Sequence, residues 1–332
     1  MGSGRKIGVV TVTYNSASVI GDFIESLLGQ SHTEFIAYVI DNASSDDTLK
    51  RLMAYDDSRL VLVDNPTNVG VAEGNNIGIR AALRDGCDYV LLINNDTVFD
   101  SNLVSELLEG LRRYECDMAV PKILYFDDPG KIWCAGGYFS RLRGSARHFG
   151  RDRKDDGKFD RPCAVSYSPT CCMLMRKSVF DKIGFMDANY FVYFDDTDFC
   201  YRAYRAGLKL FYLPTGRLLH KVSSLTGGES DFYYSFTIRN HAYYLLKHSP
   251  PWQIPFYFLA YQVHLLAKFI FLLRKPKTFL LAESAFWQGI SLFYSREEQQ
   301  GDSARAAVVD RQPFLSASDN TPIRAPINTP RK

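Results

Sequence analysis

The chain has 332 residues, with 39 Lys and Arg against 37 Asp and Glu, a formal net charge of +2, and 46% hydrophobic residues. That length buries one large core with a smaller appendage, and it excludes a minimal scaffold stapled by disulfides or metal. Near-balanced charge supplies no global field that would draw nucleic acid, so no nucleic-acid partner is expected and any electrostatic function is local.

Ile7 to Tyr14 is β-branched and almost continuously apolar, as a parallel strand buried on both faces should be. No apolar leader region precedes it, and Met1 to Lys6 lacks a myristoylation pattern, so neither secretion nor a front-end anchor is expected. Asn15 and Ser16 can cap a helix carrying Val19, Ile20, Phe23, Ile24, Leu27 and Leu28 at helical spacing. A second strand, Phe35 to Ile40, stops at the polar run Asp41 to Asp47, which precedes a helix near Leu49 to Ala54. Leu60 to Asp64 reads as the third strand, Val71 to Leu83 as a helix, and Tyr89 to Ile93 as the fourth strand, ending at Asn94-Asn95-Asp96. This alternation predicts a doubly wound, mostly parallel α/β sheet. Ligands of such sheets bind beyond the carboxyl ends of the strands, where four polar clusters fall: Thr13 to Asn15, Asp41-Asn42, Asn68 to Gly70, and Asn94 to Asp96.

The middle third is less regular, with Gly-rich sequence at Ala135 to Gly137 and a charged, mobile loop expected from Arg147 to Arg161. Cys171 to Met175 and Phe180 to Phe185 restore order before the acidic segment Tyr193 to Asp198, which enters a helix ending at Gly207. A last strand, Leu210 to Leu213, precedes a Pro214-Thr215-Gly216 turn and His220. From Trp252 to Leu273 the composition turns aromatic and aliphatic, broken by Gln262, His264 and Lys268 and followed by Arg274, Lys275 and Lys277. A helix lying in a membrane interface suits this pattern; the alternatives are a core helix, a helix pairing two copies in a homo-oligomer, and a true span. The polar remainder beyond Glu297 reads as a disordered tail. The domains expected are 1–230 catalytic, 231–295 helical and membrane-associating, and 296–332 disordered. Seven cysteines, without paired CxxC spacing, read as reduced thiols of a cytoplasmic protein.

Asp96 at a strand end can hold a divalent cation while Asn94 and Asn95 bond a ribose or phosphate; a simple strand-end turn is the alternative. Asp195, Asp196 and Asp198 beside Phe191, Tyr193 and Phe194 suggest carboxylates raised in pKa towards general-base values, or acids complementing a helix N-terminus. His220 alone is more often structural, but Asp96 supplies a second ligand.

These blocks, Val9 to Asn15, Val39 to Asp46, Asn68 to Gly78, Leu92 to Thr97 and Tyr193 to Arg202, with His220 behind them, resemble the ordered signatures of family-two glycosyltransferases of the GT-A fold across residues 7–225. The resemblance implies that Thr11, Tyr14 and Asp41 surround a nucleobase and ribose, with Asn42, Asn68, Gly70 and Asn75 completing the cleft. It implies Mg²⁺ or Mn²⁺ on Asp96 and His220, donor contacts from Asn94 and Asn95, Arg202 either orienting the carboxylates or binding the donor phosphates, and Asp196 as catalytic base beside Asp195. The family commonly has an Asp where Asn94 or Asn95 stands, so cation binding here should be weaker in charge. That departure is similar to the rhamnosyltransferase branch, which implies a nucleotide-diphospho-sugar donor, dTDP-rhamnose first and a UDP-sugar second. The implied acceptor is a polyprenyl-diphosphate-linked glycan or polysaccharide at the cytoplasmic face of the membrane. A nucleotidyltransferase would need a Gly-rich phosphate loop where Thr13 to Ala17 stands, and a non-catalytic scaffold would not need Asp96, Asp196 and His220 together.

Overall fold

The computed structural model describes residues 6–140, 144–222, 230–271 and 276–309. Two compact units meet at 227/228. In the first, β1 (Ile7–Thr13), α1 (Ile20–Leu28), β2 (Phe35–Asp41), α2 (Thr48–Leu52), β3 (Leu60–Asp64), α3 (Gly70–Arg84) and β4 (Tyr89–Ile93) alternate as expected. There follow β5 (Thr97–Phe99), α4 (Leu103–Arg113), β6 (Met118–Tyr125), β7 (Ile132–Cys134) and a hairpin of β8 (Gly137–Ser140) with β9 (Ser145–His148). The unit finishes with β10 (Cys163–Val165), β11 (Cys172–Arg176), α5 (Lys177–Ile183), α6 (Asp195–Arg205) and β12 (Leu210–His220).

The main sheet has the order β10-β12-β6-β11-β4-β1-β2-β3, with β5 added to β12 and β7 to β6. The expected doubly wound, mostly parallel α/β sheet is present: β3, β2, β1 and β4 run parallel, as do β6 and β12, while β11 runs antiparallel between β4 and β6. Strand order reverses at β1, between β2 and β4, which opens a crevice at their carboxyl ends.

Alternate residues of β1 serve opposite layers, which is why its sequence is apolar throughout: Val9 packs with Phe23, Ile24 and Leu27 of α1, and Val10 with Ile79 and Ala82 of α3. Burying each such α1 side chain stabilises the fold by about 1.5–3 kcal/mol. Helix α3 lies close on β1 because Gly78 has no side chain; a Cβ there would sit 2.3 Å from Val10 Cγ1.

Two expectations change. The strand expected to stop at Leu213 continues to His220, because a register shift between Leu213 and Arg217 absorbs Pro214 to Gly216 and pairing with β6 resumes. The loop of residues 147–161, expected to be mobile, is pinned by buried Lys122, which pairs with Asp155 and Asp160, and by Tyr212, whose hydroxyl donates to the Phe159 carbonyl at 2.8 Å. A buried ammonium needs such partners, and one β6 residue therefore fixes a loop that looked unrestrained.

The second unit contains α7 (Asp231–His248), α8 (Ile254–Phe271) and α9 (Pro276–Val309). Tyr261 of α8 stacks on Phe286 of α9 at 4.2 Å, and Gly289 lets α9 approach the Arg239 carbonyl of α7. Helix α9 carries the chain past position 296, the expected start of the disordered tail; residues 310–332 lie outside the described residues. Among the described residues, no helix is long and apolar enough to cross a membrane.

Candidate functional site

The four polar clusters are stitched together along the sheet edge. Thr13 Oγ1 donates to Asp41 at 2.8 Å, and Ser44 donates to the same carboxylate through its N–H and hydroxyl at 2.8 and 2.6 Å. Asn42 donates to the Gly70 carbonyl at 3.0 Å, Asn68 accepts from the Gly70 N–H at 2.9 Å, and Asn95 donates to the Val12 carbonyl and Ser16 hydroxyl at 2.9 and 2.8 Å. Asp41 is completely buried, Thr11 lies inside β1 with its hydroxyl unpaired, and Asn75 is buried on α3. Tyr14 and Asn94 are exposed at the rim. The Asn95 amide nitrogen thus ties β1 to the turn that follows it.

Asp96 and His220 meet because β5 and β12 pair antiparallel with Thr97 opposite His220, which puts the preceding Asp96 beside the imidazole. Asp96 Oδ1 and His220 Nε2 stand 3.2 Å apart, both side chains nearly buried. Asp96 Oδ1 and His220 Nδ1 lack a protein hydrogen-bond partner. Burial works against an imidazolium, but contacts with Cys171 and Asp96 outweigh it and raise the His220 pKa, so a cation bound here has to displace that proton. An orphaned carboxylate oxygen and an imidazole at this spacing fit two adjacent ligands of one divalent cation, about 3 Å apart for bonds of about 2.1 Å. Among the described residues no group of three or more His, Cys, Asp or Glu forms a complete cage, so the remaining positions would fall to phosphate oxygens and water, as hard cations in nucleotide sites prefer.

Asp195 and Asp196 open α6, Asp195 buried and Asp196 half-buried. Burial raises the pKa of both; the charge of Asp196 pushes Asp195 further, whereas hydrogen bonds from Tyr167 and Thr197 work the other way on Asp196. Asp198 faces elsewhere, accepting from Tyr190 and from Arg202 Nε at 2.8 Å. Arg202 also donates to the Ile183 and Phe185 carbonyls at 2.5 and 2.7 Å, so its guanidinium is consumed in holding α6 to the preceding loop. Of the two roles expected of Arg202, these bonds fit the orienting of a carboxylate, that of Asp198.

Phe191, Tyr193 and Phe194 all have positive φ, at 64°, 64° and 67°, conformations that cost non-glycine residues about 1–3 kcal/mol each. The strained turn is held partly at its Phe191 carbonyl, which accepts from Val71 N at 2.6 Å and so closes the N-terminus of α3. Gly70 makes this contact feasible: its φ is +83°, and a Cβ would lie 2.6 Å from Phe191 O.

Strand β7 joins the two acidic centres. Trp133 sits edge-on to His220 with ring centroids 4.5 Å apart, and its neighbour Cys134 lies within electrostatic reach of Asp196. Trp133 also contacts His148 at 5.2 Å, His148 contacts Tyr167 at 5.6 Å, and Tyr167 donates to Asp196 at 3.0 Å. Burial, with the charge of Arg151, drives His148 down to about 4, so it is neutral at physiological pH. Sequence reasoning missed Trp133, His148 and Tyr167. Their signal in the sequence is no more than single aromatic or histidine residues in short segments, and β7 is too short to show a period.

Residues 8–184 match Glycosyl transferase family 2. The chain belongs to this family. It is similar to the low-salt glycan biosynthesis hexosyltransferase of Haloferax volcanii, 26% identical over 214 residues that cover 61% of this chain and 63% of that protein. The chain thus spans just under two thirds of that relative's length. The N-acetylglucosaminyl-diphospho-decaprenol L-rhamnosyltransferase of Mycobacterium tuberculosis is 23% identical over 270 residues, covering 74% of this chain and 86% of the relative. In structure the chain resembles a mannosyltransferase from Pyrobaculum calidifontis solved with GDP-Man and Mn²⁺, at a TM-score of 0.51 and 15% identity, covering 92% of this chain and 81% of that one. The fold of this family-two member is accordingly GT-A.

Proposed function

We propose that the chain transfers a sugar from a nucleoside-diphosphate donor to an acceptor hydroxyl by a single inverting displacement. The observation that carries this is the run of contacts from the Asp96–His220 pair through Trp133, His148 and Tyr167 to Asp196, beside the strand-end crevice. Asp196 accepts the proton of the acceptor hydroxyl as that oxygen attacks the anomeric carbon opposite the diphosphate. Tyr14 and Asn94, exposed at the rim, are free to meet the nucleotide, while Asp41, Asn42 and Asn68 shape the crevice through their mutual bonds. Asp96 and His220 would hold Mg²⁺ or Mn²⁺, which offsets charge on the departing diphosphate.

Support for dTDP-rhamnose comes from the rhamnosyltransferase relative and from the uncharged Asn94-Asn95 preceding Asp96. The same relative's name supports a polyprenyl-diphosphate-linked acceptor. Location at the cytoplasmic face of a membrane is supported by the second unit. Trp252, Phe256, Leu259, Val263 and Leu266 are each 53–67% exposed, and the last four follow one another at helical spacing along one face of α8. Between Phe232 and Ala282 the sequence has Arg239, Lys247, Lys268, Arg274, Lys275 and Lys277 but no Asp or Glu, a charge pattern that suits an anionic lipid surface.

Donor transfer is tested with Asp196→Asn and a panel of nucleotide sugars. Turnover should fall about 10²- to 10⁴-fold while donor-induced thermal stabilisation persists. Near-normal turnover in the variant would remove Asp196 from the chemistry.

A further inference from the structure

We infer that Tyr167 is a positioning residue for this transfer, its phenol hydrogen bond fixing which oxygen of Asp196 faces the acceptor and favouring the charged carboxylate. The inference rests on the assignment of Asp196 as the base. An ionised carboxylate offers about four lone-pair sites. Asp196 Oδ1 takes the Thr197 N–H at 2.6 Å and the Thr197 hydroxyl at 3.1 Å, and Oδ2 takes the Tyr167 hydroxyl at 3.0 Å. Three sites are filled, and the one left for an acceptor proton is on Oδ2.

The Thr197 donors ride on α6 with Asp196 and cannot fix its direction relative to the sheet. Tyr167 comes from the segment ahead of β11 and is anchored there: its N–H bonds the Gly137 carbonyl at 3.2 Å, and its ring lies against Phe139 and His148 at 5.9 and 5.6 Å. With the residue only 4% exposed, the phenol has little room to swing. It stays a donor, since burial and the Asp196 charge both keep its proton on.

The other titratable groups facing this pair are Asp195 and Cys200 on α6, Cys134 on β7, His148 on β9 and Arg151 just beyond it. Burial pushes both thiols up to about 12 and leaves His148 neutral, so Asp195 is the one group that competes with Asp196 for a proton. Among the described residues the Asp195 carboxylate has only backbone donors, its own N–H and that of Asp196, whereas Asp196 takes the Thr197 N–H and two hydroxyls. The shared proton therefore settles on Asp195, and Asp196 is left as the anion that can accept one.

Tyr167→Phe keeps the ring packing and deletes only the donor. Its turnover should drop about ten- to a hundredfold with the donor KM little changed, and the acidic limb of its pH–rate profile should move to higher pH. Carbon-13 titration of the Asp196 carboxyl, assigned with Asp196→Asn, should show the same upward move without relying on turnover. Site-specific 3-fluorotyrosine at position 167, an isosteric and stronger donor, should move both to lower pH, which keeps the test decisive if Tyr167→Phe folds poorly. Unchanged titration in either substitution overturns the role of Tyr167. Full turnover in Asp196→Asn would instead strike the base assignment and leave the titration result standing.

Discussion

Asp195 pays for the chemistry next to it with stability. Its pKa is raised by burial first and by Asp196 second, so the folded state holds a proton on this pair at pH values where the unfolded chain has released it. Stability from such a group is greatest at low pH and is lost as pH rises from the ordinary carboxylate value through the folded pKa. Asp195→Asn should therefore raise the melting temperature at pH 8, by about 2–4 °C for each kcal/mol recovered, with the gain shrinking towards pH 4. A gain independent of pH, followed by differential scanning calorimetry, would contradict this account. At the other pair, Asp96→Ala removes the carboxylate that faces His220, so titration calorimetry of dTDP with Mn²⁺ should show at least about tenfold weaker binding, given about 1.5–3 kcal/mol for a charge-assisted contact. Equal affinity with and without the carboxylate would exclude Asp96 as a ligand.

Elements set the geometry that single residues use. The β5–β12 ladder brings Asp96 and His220 together from more than a hundred positions apart, and the bulge at Pro214 to Gly216 keeps that ladder in register. The first four strands were legible in the sequence because both faces of each are buried and the apolar runs end abruptly in polar turns. β7 and the hairpin β8–β9 were not legible, since three- and four-residue strands are held by partners rather than by their own pattern. The same holds for Arg202 and Asn95, whose side-chain types do not show that their hydrogen bonds go to backbone carbonyls and to Asp198 and Ser16. At the junction of α3 and the strained turn, Gly70→Ala should cost about 2–4 kcal/mol, combining a positive-φ penalty with a clash against Phe191. Urea denaturation measures it; a loss under about 0.5 kcal/mol, the scale of an ordinary surface change, would show that the turn does not lean on this position.

On the scale of the whole molecule, the residues proposed for catalysis belong to the first unit and the exposed aromatic stripe to the second. If that stripe meets lipid, Trp252→Ser with Phe256→Ser should weaken flotation with phosphatidylglycerol vesicles at least about tenfold, because burying each ring is worth about 1.5–3 kcal/mol. Retained flotation would exclude this face, and concentration-dependent self-association reduced by the same variant would assign it to a second copy instead. The sequence by itself determined the family, the parallel half of the sheet and the identity of the acidic and imidazole groups, because local hydrophobic pattern and residue chemistry survive in one dimension. Only the tertiary structure decided that β7 bridges the two centres, that Tyr167 reaches Asp196, and that Arg202 and Asn95 turn inward, because each depends on long-range pairing that brings distant backbone within hydrogen-bonding reach.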